Sequence, residues 1–202
     1  SKQQELELKA KDVVMTVCAA SALVDFFRAT VEPGDEIIVP SPYFVEYGNY
    51  CGHFGGVLKP VETNEDFSLN IEAIEEAITS KTRAIIVNSP NNPTGAIYSE
   101  NELRALAALI DKINLEREKV TGARALFLLS DEPYRVFAYD GVEVPPVLPM
   151  TKYAIVLGSF SKTLSMAGER VGYLAINPKL SEEDGGTLLT TFSLTVPPRW
   201  VC

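Results

Sequence analysis

The chain has 202 residues, 46% of them apolar and 22% charged, and carries a formal net charge of −9. This suits one globular domain with a substantial core, and the acidic balance argues against a nucleic-acid or anionic-membrane surface. No apolar run reaches the ~18 residues of a membrane helix, and the polar stretch Ser1 to Asp12 lacks the apolar centre of a signal peptide.

In chain order, Val13–Val17 is a strand-like run. Leu23, Phe26, Phe27 and Thr30 then fall at helical spacing. Glu32-Pro33-Gly34-Asp35 makes a turn that closes this helix and opens the strand Glu36–Val39. Val57–Val61 follows as a strand, and Ile71, Ile74 and Ile78 mark a second helix. Ala84–Asn88 begins as a continuous apolar run, as expected of a strand covered on both faces. After the turn Asn91-Asn92-Pro93-Thr94-Gly95, Ser99 and Glu102 form a capping box for a third helix with Leu103, Leu106 and Ile110 on one face. Ala125–Ser130, Ala154–Gly158 and Val171–Ile176 complete seven strand-like runs. Alternating strands and helices predict an α/β fold, a three-layer α/β/α sandwich around a mostly parallel mixed sheet. Polar clusters at Asn91–Gly95, Ser130–Pro133 and Gly158–Ser161 follow three of the strands. Ligands in such sheets sit beyond the carboxyl ends of strands, so the three clusters are expected to converge on one rim. The prolines of Val196-Pro197-Pro198-Arg199-Trp200-Val201-Cys202 predict an irregular tail over residues 196–202.

Cys18, Cys51 and Cys202 have no metal-like spacing, and their odd number fits no complete disulfide framework. A reducing cytoplasm is the expectation. The single histidine, His53, cannot build a histidine-based site alone; it reads as an ordinary surface or core residue, and no metal is expected.

Three ordered motifs carry a resemblance. Ser89-Pro90-Asn91-Asn92-Pro93-Thr94-Gly95, Ser130-Asp131-Glu132-Pro133-Tyr134, and Ser159-Phe160-Ser161-Lys162 with Gly168-Glu169-Arg170-Val171-Gly172-Tyr173 resemble the class I/II aminotransferases. These are fold-type I enzymes dependent on pyridoxal 5'-phosphate. Asn92 to Asp131 spans 39 residues and Asp131 to Lys162 spans 31. The likeness runs from about Val14 to Pro178, and it implies that the whole chain, 1–202, is the single large cofactor-binding domain.

The resemblance implies a role for each matched residue. Lys162 would hold the cofactor covalently and act as general base; an attacking amine must be neutral, and burial near other cations would lower its pKa. Asp131 would keep the pyridine nitrogen protonated, so that the ring draws electrons. Glu132, its neighbour on an extended segment, would point elsewhere. Tyr134 and Asn92 would bond the ring's phenolic oxygen. Arg170, Ser159 and the backbone amides of Ala19 and Ala20 would bind the phosphate. Cys18 and Ser21 stand where many members carry glycine. Phe44 would stack on the ring, with Tyr43 or Tyr47 as alternatives in register and core packing as a further one.

The expected activity is transfer of an amino group between an amino acid and a 2-oxo acid. A β-lyase with the same cofactor chemistry and a non-catalytic cofactor-binding fragment are the alternatives. Family members run to about twice this length, so a small C-terminal domain and its substrate-carboxylate arginine are expected to be absent; Arg199 is not given that role. Family active sites form across a two-fold interface, so a homodimer is expected.

Overall fold

The computed structural model describes residues 3–183, together with Leu188 and residues 190–192. All seven expected strands form, as β1 Val13–Thr16, β2 Glu36–Ser41, β3 Val57–Glu62, β4 Thr82–Asn88, β5 Phe127–Asp131, β6 Ala154–Ser159 and β7 Gly172–Ile176. They build one sheet in the order β1-β7-β6-β5-β4-β2-β3. β3, β2, β4, β5 and β6 are parallel; β7 runs antiparallel to β6, and β1 antiparallel to β7. The sheet is therefore mixed and mostly parallel. The tail 196–202, including Arg199 and Cys202, lies outside the described residues.

The three expected helices are α1 Ala19–Thr30, α3 Ile71–Ala77 and α4 Glu100–Arg117. Among the described residues, α2 Glu46–Gly52, α5 Phe160–Thr163 and α6 Pro178–Glu183 were not read from the sequence. α1 packs with α2, and α3 with α4. Every residue of β4 is buried, which requires cover on both faces of the sheet. Ile85, Ile86, Leu128, Ile155 and Leu157 form the central core, and Phe26 meets Phe27 and Phe127 edge-on at 6.0 and 5.6 Å. Each large apolar side chain buried here contributes about 1.5–3 kcal/mol.

Local chemistry sets the element ends. Gly34 adopts φ +87°, which only glycine takes readily, and Asp35 N donates to Glu32 O at 2.9 Å, closing the expected turn. α4 begins on the expected box: Ser99 Oγ accepts from Glu102 N, and a Glu102 carboxylate oxygen accepts from Ser99 N at 2.8 Å. Asn114, buried late in α4, bonds both backbone groups of Leu126 at 2.7 and 2.8 Å. This sets α4 against the start of β5, the strand that ends at Asp131. No described helix is long and apolar enough to cross a membrane.

Candidate active site

The parallel strands all end at one rim, where a cavity of about 220 Å³ opens. The nine residues assigned to the cofactor from the sequence all line it: Ala19 and Ala20 from α1, Phe44, Asn92, Asp131 and Tyr134, then Ser159, Lys162 and Arg170. The fold brings them together from across the chain.

One wall is the start of α1. Cys18 is its N-cap in fully extended backbone, φ −176° and ψ 176°, which any residue adopts. A glycine is therefore not required there. Cys18 Sγ accepts from Ser21 N at 3.4 Å, and Cys18 O accepts from Ala22 N at 3.0 Å. The amides of Ala19 and Ala20 have no partner within the helix, so they and the helix dipole suit an anion. Glycine is needed instead at Gly172 on β7, where a Cβ would lie 2.6 Å from the Cys18 backbone. The absent side chain lets this strand support the turn.

Asp131 forms the floor. Its carbonyl accepts from Asn88 Nδ2 at 2.8 Å, and Asn88 Oδ1 accepts from Asn92 N at 2.7 Å. Asn88 thus ties the strand end to the loop that presents Asn92. The carboxylate is 9% exposed; Oδ2 accepts from Tyr47 Oη at 2.6 Å, while Oδ1 is buried with no hydrogen-bond partner. Burial pushes the Asp131 carboxyl up to about 6 against the opposing pull of the Tyr47 hydroxyl, and burial beside Asp131 pushes Tyr47 well above the phenol range. A buried, unpaired anionic oxygen is costly. It suits a cationic N–H donor, such as a protonated pyridine nitrogen, placed in the cavity.

Phe44 is half-buried and meets Tyr47 edge-on, with ring centroids 5.5 Å apart. Phe44 and Tyr47 both line the cavity, and Tyr47 also reaches Asp131; Tyr43, the other alternative, does not line it. Asn92 and Tyr134 are half-buried on the cavity wall. Ser159 caps α5, accepting from Ser161 N at 3.1 Å, and Lys162 follows on that single turn. Lys162 is exposed rather than buried as expected: α5 has only four residues and no buried ones, so nothing folds over the lysine stem. Arg170, also exposed, sits at φ +55° with Nη1 donating to Ala167 O at 3.0 Å. Glu132 points away from the cavity, as alternation along an extended segment predicts. Among the described residues no cluster of histidine, cysteine and carboxylate side chains could hold a metal.

Tyr47 and Asn88 were not assigned these positioning contacts from the sequence. A half-buried Tyr50 also lines the cavity from α2. The i, i+3 spacing of Phe44 and Tyr47 was the available clue to a helix with one face toward the site.

Residues 1–183 match the family described as aminotransferase class I and II. A probable aspartate/prephenate aminotransferase of Aquifex aeolicus is 36% identical over 180 residues, covering 86% of this chain and 43% of that protein. The aspartate/prephenate aminotransferase of Thermus thermophilus is 37% identical over 180 residues, covering 88% and 44%. An aminotransferase structure from Eubacterium rectale superposes with a TM-score of 0.84 at 34% identity, covering 96% of this chain and 49% of that one. The chain thus spans less than half the length of these curated relatives. With its mixed seven-stranded sheet and its strand-end cavity, the chain belongs to the class I and II aminotransferases, a family dependent on pyridoxal phosphate.

Proposed function

We propose that this chain is the cofactor-holding domain, 1–202, of an aminotransferase that moves an amino group between an amino acid and a 2-oxo acid through pyridoxal 5'-phosphate at Lys162. The observation that carries this reading is Asp131 Oδ1, a buried acceptor without a partner in the cavity that Lys162 also lines. The donor set fits the cofactor: an anion turn at Ala19 and Ala20, an acidic floor, an aromatic wall and a lysine.

Bound pyridoxal phosphate supplies an electron sink for the pair released when the substrate's α-C–H bond breaks. Lys162 Nζ would accept the proton from the substrate's α-carbon and deliver it to the cofactor's C4′, the other carbon bonded to the substrate nitrogen; a single amine on a short helix can reach both positions. The Asp131 carboxylate holds a proton on the ring nitrogen, and the Tyr47 hydroxyl keeps Oδ2 turned so that Oδ1 stays available. The Asn92 amide and Tyr134 hydroxyl hold the phenolic oxygen. Phe44 sets the ring plane, a contact of about 0.5–1.5 kcal/mol beyond burial. The Ala19 and Ala20 amides, Ser159 and the Arg170 fork bind the phosphate.

The named relatives are aminotransferases, which favours transamination over β-elimination. A homodimer working in the cytoplasm completes the reading; free Cys18 and Cys51 thiols are compatible with a reducing compartment. The test is to incubate the chain with pyridoxal phosphate, reduce with borohydride and map the modified peptide. Labelling is expected at Lys162, and labelling at another lysine overturns the assignment. Spectra recorded with aspartate, alanine and aromatic amino acids then test turnover; no change with any of them overturns catalysis by this chain.

A further inference from the structure

One buried ionisable cluster has no part in the chemistry above. On the face of the strand end opposite Asp131, Glu132 is 5% exposed. Its Oε1 accepts from Ser130 Oγ at 2.8 Å, and its Oε2 accepts from Gln4 Nε2 at 2.7 Å and lies 3.1 Å from Arg135 Nη1. Arg135 also donates to the carbonyls of Pro145, Val144 and Gln3 at 3.2, 2.6 and 2.9 Å. Gln4 closes the network, its Oε1 accepting from Leu148 N at 3.0 Å. Residues 3–4, 130–135 and 144–148 are thereby joined through side chains that leave few hydrogen-bonding groups open.

The position of the network gives it a use. Glu132 and Arg135 bracket Pro133 and Tyr134, and both line a separate cavity of about 310 Å³ behind the active site, with Tyr173. Tyr134 lies on the opposite, active-site cavity. On the same segment Glu132 N donates to Leu157 O at 2.9 Å, and Asp131 O accepts from Asn88. Buried ion pairs add little net stability after desolvation, whereas a fully bonded polar network fixes one geometry. Burial pushes Glu132 up to about 7 against the opposing pull of Arg135 and the Ser130 hydroxyl.

We propose that Gln4, Glu132 and Arg135 are positioning residues for the cofactor pocket, clamping the Asp131–Tyr134 segment from behind so that Asp131 and Tyr134 meet the ring in one orientation. This rests on the proposed pyridoxal-phosphate reading. The segment 3–4, far from the cavity in sequence, would then tune the site without touching it. Groups that support metal ligands from behind change affinity or activity by about 10–100-fold when removed, and that range sets the scale of the effect expected here.

The test compares the wild-type chain with Gln4→Ala, Arg135→Met and Glu132→Gln, the last an isosteric change that retains bulk if Arg135→Met fails to fold. Thermal melts establish folding. Pyridoxal phosphate is then titrated by absorbance, and the pH midpoint of the bound cofactor's absorption band is recorded. Folded variants are expected to bind the cofactor about tenfold more weakly and to shift that midpoint. Variants that melt earlier yet keep wild-type affinity and midpoint overturn the inference and leave the function intact. A wild-type chain that takes up no cofactor overturns both.

Discussion

Where β2 and β4 begin, Arg83 and Asp35 are 2% and 4% exposed, and Arg83 Nε faces Asp35 Oδ2 at 3.7 Å. Arg124 adds a second ion pair to Asp35, and Arg83 Nη1 donates to Ala125 O at 2.6 Å. Where β5 ends, at the opposite edge, Asp131 is also buried but keeps one oxygen without a hydrogen-bond partner. The first arrangement pairs buried charge with opposite charge and holds strands together, although Arg83 Nε makes no hydrogen bond. The second leaves charge unsatisfied, which lowers stability and prepares a binding site. One sheet thus carries the paired Asp35 at one end and, at the other, Asp131 with an oxygen left unpaired.

The comparison breaks most visibly at Asp35. Asp35→Ala leaves Arg83 buried without its counter-ion, beside Arg124 and Arg117; burial and these cations already pull Arg83 down to about 10. We expect a loss of about 3–5 kcal/mol in urea unfolding, with cofactor affinity of the folded fraction unchanged. Asp131→Asn should do the reverse, slowing reaction with an amino acid about a hundredfold at undiminished stability. Its pH dependence has a definite sign. The Asp131 carboxyl rises from 3.8 to about 6 on folding, so the native state binds more protons between those values. Wild-type stability therefore falls as pH rises from about 4 to about 6, and urea midpoints across that window should be flatter for Asp131→Asn. The residual slope reports Glu132, whose carboxyl is raised from 4.5 to about 7. The smallest change is Tyr47→Phe. It removes the hydrogen bond that lowers the Asp131 value, so a carboxyl NMR titration should place the midpoint above about 6, with a stability cost of about 1 kcal/mol.

Much of this was legible in the sequence because strands buried on both faces must be apolar throughout. Ala84-Ile85-Ile86-Val87 could hardly form anything else, and the same logic located the polar clusters at the strand ends. α2 escaped notice because Glu46–Gly52 contains two glycines and only two buried residues, Tyr47 and Cys51. Its contribution to the site escaped with it, since the Tyr47–Asp131 bond joins residues 84 apart and local pattern carries no trace of it. The direction of β7 was hidden too, because an apolar run does not encode which way its strand points. The exposure of Lys162 departs from expectation for a local reason, the shortness of α5. The opposite orientation of Glu132 was foreseeable from alternation; its partner Gln4, 128 residues away, was not.

The strand order carries a consequence for how the molecule assembles. Among the described residues β1 pairs with β7 alone, so β1 lacks that neighbour until Gly172–Ile176 has been synthesised. The Cys18 turn rests on that same late strand through the gap left at Gly172. Closing so long a loop is slow and comes after the local pairings of β4, β5 and β6. The corner at Ala19 and Ala20 is accordingly expected late in folding, and cofactor uptake measured over time would test that order.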